Sequence, residues 1–266
     1  MLNCWKRLLL ALKREHYTAI PDAQWEGTLQ AYPFLAALEP QDQVMLHKLS
    51  SQFLAGKEFT GAHGLEVTDA MAVAIAAQAC LPVLHLGLKL YDDFLGIVVH
   101  PGAMLARRQA VDAAGVVHNY SEVLAGEAME RGPVTLSWED VTGGADGSDG
   151  LVERGHNVVI HEFVHKLDMR DGHANGCPPL PSRAARTAWQ KTMQQNYAAF
   201  RESVAMHERF GADAPWLDAY GAQSPVEFFA VASEAYFVNR ERFLREFPAL
   251  TTLFDSFFRP AIAEKT

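Results

Sequence analysis

Apolar residues recur at helical spacing through the first sixty residues, with Trp25, Leu29, Phe34, Leu35 and Leu38 on the pattern. The stretch LEPQDQVMLHKLSSQFLAGK (38–57) continues it as an amphipathic helix ending near Gly56. The next apolar run, AMAVAIAAQACLPVLHLGL (70–88), carries no formal charge. It is rich in alanine and contains Gln78, Pro82, His85 and Gly87, which suits a helix buried in protein better than one in lipid. That helix runs from about Asp69 to Leu81, capped near Thr68. The pattern then changes. FLGIVVHPG (94–102) and GPVTLSWEDV (132–141) read as strands by their β-branched and aromatic content, and TGGADGSDG (142–150) as a flexible loop. From about residue 151 helical spacing returns, with further helices around 184–208 and 225–240. Helices, then strands, then helices predict an α+β fold, a small mixed sheet packed on helices.

Composition narrows the classes. At 266 residues, 49% hydrophobic and 21% charged, the chain reads as one globular unit, with a helical N-terminal region over 1–60 and the remainder over 61–266. A net charge of −9 repels phosphate backbones, which argues against direct nucleic-acid binding. Basic residues in WKRLLLALKREH (5–16) and at Arg183, Arg186 and Lys191 read as solvated helix faces. Three widely spaced cysteines, Cys4, Cys80 and Cys177, argue against a disulfide framework and a cysteine-built zinc site. LLLAL (8–12) is too short for a signal peptide and is followed by Lys13, Arg14 and Glu15, so a cytoplasmic location is expected.

The chemistry concentrates in NVVIHEFVHKLDMRDG (157–172). On a helix, His161 and His165 stand one turn apart on one face, where two imidazoles can reach a single zinc. Glu162 lies beside them, placed to take a proton from a water that the metal activates. With 11 histidines in the chain, His-Glu-x-x-His arises by chance in only about 3% of such sequences, which favours the metal reading. Ile160, Phe163, Val164 and Leu167 form a separate apolar stripe, so the helix has a core face beside a chemical one. Asp168, three residues beyond His165, is in reach of an imidazole N–H.

A catalytic zinc usually takes a third protein ligand. The metzincin continuation requires glycine at 168 and histidine at 171, and both positions are aspartate. His173 follows Gly172, a helix stop, and His156 reads as a surface residue at the helix start. SPVEFFAVASEAYF (224–237) offers Glu227 and Glu234 on one helical face, with Ala230 and Val231 allowing close packing between them. Ser224, Pro225 and Glu227 also fit a capping box. Periodicity leaves the two glutamates even.

IHEFVHKLDM (160–169), AYPFLAALEPQDQ (31–43), VTDAMAVAIAAQACLPVLHLG (67–87) and SPVEFFAVASEAYF resemble the Mlc titration factor A family over about residues 20–258. The resemblance implies a cytoplasmic zinc peptidase of the gluzincin type. Its zincin-like catalytic part, here 61–266, is similar to the metalloprotease domain of the anthrax lethal factor. One zinc ion is then held by His161, His165 and Glu227, with Glu162 as catalytic glutamate. Glu234 becomes a carboxylate orienting a ligand histidine. Tyr220, seven residues before the ligand glutamate, is implied as an oxyanion donor.

The resemblance also implies a partner, the DNA-binding repressor Mlc, sequestered by the protein. In zinc peptidases of this architecture an edge strand ahead of the motif helix pairs with the extended peptide substrate, and GPVTLSWEDV is the expected strand. Two rival readings stand beside a peptidase: a repressor-binding module with a vestigial zinc site, and a zinc hydrolase of small amides or esters. No fourth His or Cys has the spacing of a closed structural site, which favours catalysis. The residues leave open whether cleavage is internal or at the amino terminus.

Overall fold

The computed structural model describes residues 17–111, 117–143 and 155–260, with the backbone alone for 105–111 and 117–124. Its first elements are α1 (Asp22–Ala31), the single turn α2 (Pro33–Ala36) and α3 (Pro40–Gly56). Pro33 and Pro40 stand in the first turns of their helices, where a missing N–H forfeits no helical bond. Strand β1 (Glu58–Gly61) follows, then α4 (Asp69–Cys80). Thr68 caps α4 through its hydroxyl, which accepts from Met71 N at 3.3 Å. Nine of its residues are buried, as the uncharged run requires. It ends at Cys80, and Pro82 sits in a 3-10 turn beyond it. Among the described residues no helix is long and apolar enough to cross a membrane.

Beyond α4 lie β2 (Gly96–His100), the antiparallel hairpin β3 (Met104–Val111) and β4 (Val117–Leu124), then β5 (Gly126–Ala128) and β6 (Val134–Ser137). The four-stranded sheet has the order β1-β2-β6-β5; its first three strands are parallel and β5 runs antiparallel to β6. Two expectations are corrected here. The strand expected over 132–141 stops at Ser137, because Ser137 Oγ accepts from Asp140 N at 3.3 Å and starts helix α5 (Trp138–Gly143). That strand is also not the sheet edge: Thr135 lies between Val98 of β2 and Glu127 of β5. The edge is β5. Of the expected loop 142–150, residues 142 and 143 close α5 and the rest lies outside the described residues.

Five helices complete the described chain: α6 (Val158–Asp168), α7 (Arg183–Phe210), α8 (Pro225–Val238), α9 (Arg240–Glu246) and α10 (Pro248–Phe258). The apolar stripe of α6 is fully buried, and the Phe163 ring packs 5.2 Å from Tyr91 and 5.7 Å from Phe53, centroid to centroid. Burying a phenyl side chain in this way contributes about 1.5–3 kcal/mol. Helix α8 is apolar nearly all round and lies between α6 and the later helices, with Phe229 against Trp189 and Phe254. It approaches the segment ahead of α6 so closely that a β-carbon on Gly155 would fall 2.7 Å from Ala235 Cα; Gly155 also has φ +75°. This approach brings the carboxylates of α8 to the histidines of α6.

Candidate metal centre

Asn157 starts α6 by accepting from Ile160 N at 2.9 Å, and its side-chain amide donates to the buried Gln78 of α4 at 2.6 Å. The cap therefore anchors the start of the helix, one turn ahead of His161, while His165 lies in its last turn. Both imidazoles point toward α8. His161 Nδ1 donates to Glu234 Oε1 at 2.7 Å, which fixes the tautomer and leaves a lone pair on Nε2. That Nε2 lies 3.1 Å from His165 Nε2 and 3.1 Å from Glu227 Oε2, while His165 Nε2 and Glu227 Oε2 are 3.3 Å apart. Two imidazole nitrogens and a carboxylate oxygen thus converge on one point.

This triangle fits a metal. Tetrahedral zinc with bonds of about 2.1 Å holds its ligand atoms about 3.4 Å apart. Electron-rich atoms at such separations repel unless a cation or proton lies between them. The metal-free protein shows the same demand, since His161 is held well above the ordinary imidazole range. Burial opposes this, and the carboxylates of Glu234 and Glu227 prevail. Glu227 responds oppositely: burial raises its carboxyl, but hydrogen bonds and charge from both histidines hold it far below the usual carboxylate range.

Glu162 is buried and outside the triangle. Its side chain runs beneath the sheet edge, where a β-carbon on Gly126 would sit 2.6 Å from its Cγ and 2.7 Å from Oε1. Only glycine admits the carboxylate there. Burial pushes the Glu162 carboxyl up, partly offset by the two imidazoles, which suits a proton acceptor working near neutrality. A cavity of about 290 Å³ opens beside it, walled by Gly126, His156, His161, Tyr220 and Glu234 among others.

A model of the family described as glucose-regulated metallo-peptidase M90 matches residues 5–259. The chain belongs to this family. Relatives named Mlc titration factor A include one from Klebsiella pneumoniae (strain 342), 36% identical over 236 residues, covering 88% of this chain and 85% of the relative. The namesake from Salmonella arizonae is 35% identical over 248 residues, covering 93% and 94%. A third, from Cronobacter sakazakii, is 34% identical over 247 residues, covering 92% and 89%.

The remaining residues of this M90 chain singled out in the sequence fall into place or out of it. Tyr220 sits in a 3-10 turn (Ala219–Ala222), lines the cavity and stands 6.0 Å from the His161 ring, centroid to centroid. Glu234 is fully buried and serves Asn157 N and His156 as well as His161. Glu227 makes only half of a capping box: its N–H donates to Ser224 Oγ at 3.2 Å, but its carboxylate turns to the histidines. Asp168 does not hold an imidazole. Its two oxygens accept from the backbone N–H groups of Asn175, Gly176 and Cys177 at 2.7–2.9 Å. His173 is exposed, 3.7 Å from Glu130.

Two residues escaped the sequence reading. His156 is no mere surface residue: its Nδ1 lies 3.0 Å from Glu234 Oε2, and the ring lines the cavity. Gly126 stands in a three-residue strand, GEA, without a β-branched or aromatic residue to mark it.

Proposed function

We propose that this protein is a zinc-dependent peptidase of gluzincin type and that it also binds an Mlc-like repressor. The observation that carries the first part is the convergence of His161 Nε2, His165 Nε2 and Glu227 Oε2 at 3.1–3.3 Å beside the buried Glu162. Two imidazoles and one carboxylate suit zinc. When bound, zinc polarises a carbonyl and lowers the pKa of water to about 7. Glu162 accepts the proton of the attacking water and passes it to the leaving amine. Tyr220 donates a hydrogen bond to the carbonyl oxygen as it gains charge. β5 ends the four-stranded sheet on the side of Glu162, and an extended peptide adding beside it as a further strand would run across that carboxylate.

The test is zinc content and peptide hydrolysis of the parent protein beside Glu162→Gln. Both are expected to bind one zinc, with hydrolysis falling by about 10²–10⁴-fold in the variant. Hydrolysis at the parental rate in Glu162→Gln sinks the mechanism. The repressor reading rests on relatives whose name is Mlc titration factor A. Capture of purified Mlc by Glu162→Gln is expected, since binding needs no turnover; no capture by either protein overturns it.

A further inference from the structure

His156 is a buried-end, open-end side chain. Its Nδ1 lies 3.0 Å from Glu234 Oε2, while the side chain as a whole remains 29% exposed. The two nitrogens of an imidazole point away from one another across the ring. With Nδ1 turned to a fully buried carboxylate, Nε2 is the nitrogen left to serve the cavity that His156 lines with Glu162 and Tyr220. Glu234 thus carries two imidazoles on its two oxygens: His161 through Oε1, whose far nitrogen faces the metal point, and His156 through Oε2, whose ring lines the cavity. A single immobile carboxylate sets the relation between them.

We infer that His156 is a further catalytic residue, its Nε2–H hydrogen-bonding the substrate carbonyl oxygen from the wall beside Tyr220. The inference rests on the peptidase reading. The charges facing the ring support a donor there: Glu234 foremost, with Asp218, favours the imidazolium, while burial and His161 oppose it, and the ring is held above the ordinary imidazole range. A cationic donor aimed at an oxygen that gains negative charge is stronger than a neutral one.

The experiment compares His156→Phe and His156→Gln with the parent and Glu162→Gln. The substrate is an internally quenched peptide that the parent cleaves, and the second probe is a phosphonamidate analogue of it. Zinc affinity is measured in each by chelator competition. For His156→Phe, kcat/KM is expected to fall about 10²-fold. The inhibition constant of the phosphonamidate should rise in parallel, while zinc affinity stays within about threefold of the parent. His156→Gln, which keeps an N–H donor, should recover part of the loss. Parental kcat/KM in His156→Phe overturns the inference, and so does a loss of zinc affinity that matches the loss of activity, because His156 then acts only by steadying Glu234. If Glu162→Gln hydrolyses normally, the peptidase reading itself has failed; an inactive Glu162→Gln beside an unimpaired His156→Phe removes only the role of His156.

Discussion

The two ends of α8 carry the same functional group toward the same imidazole ring and give it opposite tasks. Glu227, in the first turn, meets His161 at Nε2 and His165 as well, and its side chain is 20% exposed at the rim of the site. Glu234, two turns on, meets His161 at Nδ1 and is 1% exposed. A carboxylate at the nitrogen that carries the hydrogen orients the ring; one beside the lone pair shares whatever that lone pair binds. Identity and helical face do not separate the two. Depth and the nitrogen addressed do.

Metal affinity breaks or sharpens this contrast. Glu227→Ala removes one of the three proposed ligands, and zinc affinity should fall by more than about 100-fold, beyond what loss of an orienting partner produces. Glu234→Gln keeps the shape but weakens the grip on His161, and a fall of about 10–100-fold is expected. Chelator competition on the purified variants reads both. If Glu234→Gln loses more zinc than Glu227→Ala, the two tasks are reversed. Because Glu234 also accepts from Asn157 N and His156, its variant should lower unfolding stability as well, a second readout in which Glu227→Ala should be the milder.

The sequence made the motif helix legible because two periods overlap in it: the histidines at i and i+4, and the apolar stripe beside them. The buried helix and the capped start of α8 were legible for similar reasons, since Thr68 and Ser224 both cap as their positions imply. Periodicity treats Glu227 and Glu234 alike as candidates for a third ligand; the resemblance favours Glu227, and the structure brings its carboxylate to both histidines. The sheet was read least well. β1 and β5 are four and three residues long, too short to show alternation, and the site-forming edge is the shortest strand of the sheet. The strand around Thr135 has the β-branched character of an interior strand because it is one. The setting of His156 comes from a carboxylate 78 positions away, a relation that no local pattern encodes.

Asp168 supplies the smallest effect and a control on the contrast. Its side chain is buried, and three backbone N–H groups of residues 175–177 point at its oxygens. That loop also receives Trp189 Nε1 at Gly176 O, 2.8 Å away, and rests on the start of α8, where a β-carbon on Gly176 would meet Pro225 O at 2.6 Å. Asp168 therefore ties the end of α6 to the turn of α8 that presents Glu227, without touching either histidine. In Asp168→Asn one acceptor oxygen becomes an amide donor facing another donor, so at least one buried N–H loses its partner. Stability of the metal-free protein in denaturant titration should drop by about 1–3 kcal/mol. Zinc affinity at saturating folding conditions should stay within about threefold, since both ends of α8 keep their contacts with His161. A loss of zinc affinity as large as that of Glu234→Gln would show instead that the loop, and not the packing of α8 on α6, sets the position of Glu227.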